Sequence, residues 1–190
     1  LYFRKRWPSR PAKDKFSPVI ALAPGSGEEE RHKRWPEEKY GILVKEILRY
    51  YPRALFQVCG SPNELSMCSR IVELSDGVSV VADISSVKDL FDVMSRVDLC
   101  VTSCNGAAHV AAHAGAPIVA IHGPTQCRYT GPYCTRLIEV NRRLDCSPCY
   151  RRGYIRGCGN PVCMTDLEVV DVLHAALEML RPKVMRIPLD

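Results

Sequence analysis

Val19-Ile20-Ala21-Leu22-Ala23-Pro24-Gly25-Ser26-Gly27 joins five apolar residues in a row to a Pro/Gly/Ser exit. An unbroken apolar run of that length, stopped by turn residues, reads as a β-strand covered on both faces with a Gly-rich loop at its carboxyl end. Similar short runs recur at residues 54–59, 78–81, 98–103, 117–121 and 136–140. Helix signals fall between them. Pro36, followed by Glu37 and Glu38, opens a segment running to about Tyr51, because proline suits a first helical turn and acids suit its positive dipole end. Ser61-Pro62-Asn63-Glu64 has the form of a capping box and starts a helix to about Leu74. Ser85 or Ser86 caps another, with Leu90, Val93, Met94 and Val97 on one face. A further helix runs from Gly106 to about Ala114. Thr165-Asp166-Leu167-Glu168 reads as a second capping box, starting a last helix to about Leu180. Strand and helix alternate five or six times. This predicts a Rossmann-like, doubly wound parallel α/β sheet with right-handed crossovers and a Cys-rich loop before the last helix. Residues 1–17 read as a basic linker or arm, and residues 18–190 as one domain.

Composition agrees with a globular chain. Of 190 residues, 46% are hydrophobic and 25% charged, which excludes a disordered, collagen-like or coiled-coil chain. No apolar run reaches the roughly 18 residues of a membrane span. No cationic, apolar leader opens the chain, and it starts at Leu1, so it reads as a processed product or a fragment. The net charge of +5 is a mild bias toward anionic partners, concentrated at residues 4–10, 31–34 and 142–156. Cys59, Cys68, Cys100, Cys104, Cys127 and Cys134 are scattered through apolar contexts. They read as reduced, mostly buried small hydrophobes of a cytoplasmic protein.

Ligands of doubly wound sheets bind outside the carboxyl ends of the strands. Three loops there carry chemistry. In the first, Gly25, Ser26 and Gly27 offer backbone amides ahead of a helix, and Lys33 or Arg34 could neutralise a phosphate. The bland alternative is a solvated charged loop with Trp35 as a lid. In the second, Asn105 and Gly106 start a helix and leave free amides. His109 lies one turn in, near a ligand or as a satisfied, partly buried histidine. The third covers residues 122–130. Glu64 ends the second strand, where an acid commonly receives ribose hydroxyls, but it is also the last residue of its capping box. One glutamate could not fully serve both. Cys146, Cys149, Cys158 and Cys163 follow a C-x2-C-x8-C-x4-C spacing that can close a tetrahedral zinc or iron site. Two disulfides or four thiols are the alternatives.

Taken in order, these motifs resemble the C-terminal half of family 9 glycosyltransferases, the ADP-heptose:lipopolysaccharide heptosyltransferases. The residues that carry the resemblance are Pro24-Gly25-Ser26, Lys33-Arg34-Trp35-Pro36, Gly60 to Glu64, Gly106-Ala107-Ala108-His109, His122-Gly123-Pro124-Thr125 and the four-cysteine loop with Met164. The resemblance implies a GT-B fold, two Rossmann-like domains facing a cleft, with this chain as the donor-binding one. It implies Lys33 on the donor diphosphate as leaving-group stabiliser, Glu64 on the ribose and Ile84 against adenine. Asn105, Gly106 and His109 would hold the diphosphate and sugar, beside Gly25 and Ser26. Cys104-Asn105 stands where the family usually has an Asp that touches the donor sugar, and the first loop is about two residues longer than usual. The catalytic base belongs to the missing N-terminal domain, so this chain is expected to bind donor and not to turn over alone.

No cofactor is implied for catalysis, so a metal at the four cysteines would be structural. The implied partners are an ADP-sugar donor, an anionic glycolipid acceptor and the cytoplasmic face of the inner membrane, with no nucleic acid. Another GT-B enzyme using a UDP-sugar is one alternative. A non-catalytic nucleotide- or RNA-binding module with a metal-bound Cys loop is another, disfavoured because no aromatic platform accompanies the basic residues.

Overall fold

The structure, a computed structural model, describes residues 17–152 and 159–181. Six parallel strands form one sheet in the order β3-β2-β1-β4-β5-β6. They are β1 (Val19–Ala23), β2 (Leu55–Val58), β3 (Ser79–Val81), β4 (Leu99–Ser103), β5 (Ile118–Ile121) and β6 (Leu137–Val140). This is the doubly wound order, with the chain reversing direction across the sheet between β1 and β4, where a crevice opens at the carboxyl ends. β1 is buried at every residue, as its unbroken apolar run predicts.

Alternate residues of the strands serve different layers. Ile20, Leu22, Phe56, Val58, Leu99 and Val101 pack with α1 (Glu37–Tyr50), α2 (Leu65–Leu74) and α7 (Val169–Leu180). Val19, Ala21, Ala23, Cys59, Cys100 and Ala120 pack with α3 (Val87–Met94) and α4 (Gly106–His113). The second layer is built from smaller residues, and Ala111 of α4 lies directly in it. Cys59, Cys68, Cys100 and Cys104 are buried and Cys127 and Cys134 half-buried, all six as thiols. Burial pushes the Cys100 thiol up to about 12. Among the described residues no helix is long and apolar enough to cross a membrane.

Two local expectations need correcting. Thr165 does not start the last helix. It ends a short helix, α6 (Val162–Thr165), with its N–H on the Pro161 carbonyl at 3.0 Å. The last helix begins at Val169, with Glu168 at the N-cap position and no side-chain cap. A Thr already inside a helical turn cannot adopt the extended backbone an N-cap needs. At residues 61–64, Pro62–Glu64 form a 3-10 turn before α2 proper begins at Leu65. Ser86, rather than Ser85, caps α3, accepting from the Asp89 N–H at 3.2 Å. The N-terminal arm up to residue 16 and Cys158 lie outside the described residues.

Candidate functional site

A cavity of about 970 Å³ opens at the carboxyl ends of β1 to β4. Its floor is made by the exits of those strands: Ala23 and Gly25 to Glu28 after β1, Cys59 to Glu64 after β2, Ile84 to Val87 after β3, and Asn105 to Ala107 after β4. Arg31 and Arg34 line it too. Of the residues singled out in the sequence, the structure brings Gly25, Ser26, Glu64, Ile84, Asn105 and Gly106 to this one hollow. Lys33 and His109 are not among its lining residues. His109 is exposed on α4, neither buried nor turned to the cavity.

The loop after β1 is not a solvated loop under a Trp lid. Residues Glu28–Lys33 wind into a 3-10 turn, and Ser26, Lys33 and Trp35 are all buried. Trp35 is 1% exposed. Its Nε1–H donates to the Leu167 carbonyl at 3.0 Å, and its ring meets Tyr40 edge-on at 4.9 Å. Ser26 is held on both sides. Its hydroxyl donates to the Glu30 carbonyl at 2.9 Å and accepts from Arg34 Nε at 3.0 Å, while Arg34 Nη2 donates to the Ser26 carbonyl at 2.8 Å. Arg34 is thereby fixed at the cavity wall, with its Nη2 also 3.7 Å from Glu28 Oε2.

Glu64 divides its carboxylate. Oε2 accepts from both the Ser61 N–H and the Ser61 hydroxyl, each at 2.8 Å. Oε1 is left on the Gly25 side, where a Cβ on Gly25 would run into it. The cap thus uses one carboxylate oxygen, and each oxygen carries its own lone pairs. Gly25 is the residue that makes room for it.

Asn105 is a strut. Its Nδ2 donates to the carbonyls of Ala23 at 2.9 Å and Gly25 at 2.8 Å. Its Oδ1 accepts from the Ala108 N–H and the Thr102 hydroxyl, both at 3.2 Å. The side chain joins the start of α4 to the exit of β1, so the two loops that flank the cavity are locked together. An aspartate, which the resemblance makes usual nearby, has no N–H to offer either carbonyl.

Behind the cavity wall lies a second polar group. Lys33 Nζ pairs with Glu30 Oε1 at 2.5 Å and sits 4.6 Å from the centre of the Tyr150 ring. The Tyr150 hydroxyl donates to the same Glu30 oxygen at 2.9 Å, and His32 Nε2 is 3.2 Å from that hydroxyl. Burial works to raise the Glu30 carboxyl, but the hydrogen bonds from Lys33 and Tyr150 outweigh it and hold the group below its usual range. Burial, reinforced by the acceptor Glu30, pushes the Tyr150 phenol up. Glu30 and Tyr150 were not singled out in the sequence. Tyr150 is far along the chain from the first loop, and only its place beside Cys149 marked it.

The Cys-rich segment is anchored on the turn after β5. The Ser147 hydroxyl donates to the Gly123 carbonyl, and the Tyr150 N–H donates to the Pro124 carbonyl at 3.1 Å. From the other side, Cys163 Sγ and Met164 Sδ fill the space a Cβ on Gly123 would need. Cys149 and Cys163 are buried, Cys146 is exposed, and these described cysteines are thiols rather than disulfides. Both arms of the loop thus converge on one turn, but among the described residues Cys146, Cys149 and Cys163 do not bring their sulfurs together as the ligands of one ion, and Cys158 lies outside them. A separate group, His122, Cys127 and Glu139, places its ligand atoms within 4.8 Å of one another. It is satisfied internally: His122 Nδ1 is 3.0 Å from the Thr125 hydroxyl, and Glu139 Oε1 accepts the Cys127 N–H at 3.1 Å. Burial lowers the His122 pKa, and burial with the Glu139 charge pushes the Cys127 thiol up to about 12.

Comparison with known proteins fits this geometry. The model of glycosyltransferase family 9 (heptosyltransferase) matches residues 2–158. Lipooligosaccharide heptosyltransferase 2 of Haemophilus influenzae is 30% identical over 121 residues, which is 60% of this chain and 34% of that protein. The ADP-heptose LPS heptosyltransferase II of E. coli superposes with a TM-score of 0.69 at 22% identity, over 88% of this chain and 47% of its own. A family 9 glycosyl transferase from Veillonella parvula gives 0.72 at 24% identity, with the same coverage. The iron-containing dodecameric glycosyltransferase TibC of enterotoxigenic E. coli gives 0.64 at 12% identity, over 96% of this chain and 50% of its own. These three share the fold. The chain spans about a third of the curated relative and about half of each solved structure.

Proposed function

The chain belongs to glycosyltransferase family 9, the heptosyltransferases, and from that membership we propose that it is the donor-binding domain of an enzyme that moves a heptose-like sugar from an ADP-linked donor to lipopolysaccharide core or a related surface glycan. The observation that carries this reading is the convergence of four strand exits on one cavity with a distinct chemistry at each wall. Ile84 and Leu90 form an apolar side suited to a purine face. Glu64 Oε1, free of the cap, accepts ribose hydroxyls. The amides after Gly25 and at Gly106 on the α4 N-terminus, together with the fixed Arg34 guanidinium, take the diphosphate. His109, which the resemblance implies on the sugar, lies exposed on the same helix outside the cavity lining.

Transfer of the sugar needs a base on the acceptor hydroxyl and stabilisation of the departing diphosphate. This chain supplies the second, through Lys33, Arg34 and the backbone amides. The base belongs to the half of a GT-B enzyme outside this chain, so the chain binds donor without turnover. A zinc or iron ion held by Cys146, Cys149, Cys158 and Cys163 would be structural, tying the loop that carries Tyr150. We place the reaction at the cytoplasmic face of the inner membrane, where the basic residues meet an anionic glycolipid acceptor.

Glu64→Gln tests the ribose assignment. Glutamine keeps an acceptor for the Ser61 N–H and removes the charge. ADP affinity, read by titration calorimetry, is expected to fall about tenfold with the unfolding temperature little changed. Undiminished affinity would remove Glu64 from the donor site.

A further inference from the structure

We propose that Tyr150 is a positioning residue for Lys33 in donor binding. The proposal rests on the reading of Lys33 as a partner of the donor diphosphate. As folded, Lys33 is 6% exposed and outside the cavity, committed to Glu30 and to the face of Tyr150. To meet an anion in the cavity its ammonium must leave Glu30. The loop that carries Lys33 borders the cavity, since the Glu30 carbonyl accepts from the Ser26 hydroxyl and Ser26 lines the cavity.

What opposes the move is the carboxylate left behind. Glu30 is only about one-third exposed, so stripping it of its cation would strand a half-desolvated charge. Tyr150 removes that obstacle. Its hydroxyl already donates to the oxygen Lys33 occupies, and with its proton there it can accept from His32 Nε2–H. When Lys33 swings to a diphosphate, Glu30 keeps the half-buried Tyr150 hydroxyl as a donor. Tyr150 itself cannot drift, because its N–H is tied to the Pro124 carbonyl after β5.

A double-mutant cycle on the 190-residue chain tests this, with ADP and AMP as probes. Tyr150→Phe keeps the ring and deletes the hydroxyl. It is expected to weaken ADP about fivefold and AMP, which lacks the β-phosphate, by less than about twofold. In a Lys33→Ala background the same change should leave ADP affinity unaltered, because the two residues act as a unit. Thermal unfolding of each variant checks the fold. Equal weakening with and without Lys33, or none at all, overturns the proposal for Tyr150 while leaving the donor site standing. If Lys33→Ala alone leaves ADP affinity unchanged, the diphosphate role of Lys33 fails, and the role of Tyr150 with it.

Discussion

Asn105→Asp is expected to destabilise the domain by about 2–3 kcal/mol, seen as a fall of roughly 5–10 °C in unfolding temperature. The substitution looks mild, since Asn and Asp are equally good N-caps and an acid complements a helix N-terminus. Were Asn105 only the cap of α4, through its Oδ1 on the Ala108 N–H, the variant would be as stable as the parent or more so. The structure gives it a second task. Nδ2 donates to the carbonyls of Ala23 and Gly25, and a carboxylate there would face two oxygens at 2.9 and 2.8 Å. Both carbonyls lose a donor and the exit of β1 loses its tie to α4. Asn105→Ala, which loses strut and cap together, should be destabilised as well. An Asn105→Asp protein with unchanged stability would show that the strut carries no weight.

The second large effect concerns Trp35. Trp35→Ala should cost about 3–5 kcal/mol, the range for emptying a buried aromatic site, and is best read by urea unfolding. Beyond the cavity it leaves, the change removes the indole N–H from the Leu167 carbonyl and the edge contact with Tyr40, whose hydroxyl lies 3.3 Å from Ser103 Oγ. Lys39 Nζ also donates to Leu167 O, at 2.8 Å, so that carbonyl keeps one partner and the loss falls mainly on packing. Trp35→Phe should recover a good part of it. A Trp35→Ala protein within about 1 kcal/mol of the parent would mean that the residue is a lid after all.

Much of the fold was legible because it is written in local patterns. The unbroken run from Val19 to Ala23 reported a strand buried on both faces, and Ser61 with Glu64 reported the helix start that follows β2. The patterns failed where a local signal competed with its surroundings. Thr165 to Glu168 has the spacing of a capping box, but Pro161 has already started a turn that takes Thr165 inside it. The site was legible in the same proportion. Gly25, Glu64 and Asn105 stand at strand exits, and topology alone brings strand exits together. Lys33, a candidate for a phosphate by its place after the Gly-rich turn and by the resemblance, is buried outside the cavity. Its burial depends on Glu30 three residues away and on Tyr150, 4.6 Å from it in space but more than a hundred residues away in sequence. No pattern within the first loop could announce that ring. Likewise the double donation by Asn105 becomes visible only once β1 and β4 are known to be neighbours.

The central claim is that this chain recognises an ADP-linked donor through the cavity at the exits of β1 to β4. The most direct measurement is the unfolding temperature of the chain with ADP, UDP, GDP and CMP at matched concentrations. A ligand present at 100 times its dissociation constant adds about 2.7 kcal/mol, a rise of roughly 5–10 °C for a domain of this size. The account predicts that rise with ADP and none with the other three. A rise with UDP in place of ADP, or no rise with any of the four, would contradict it.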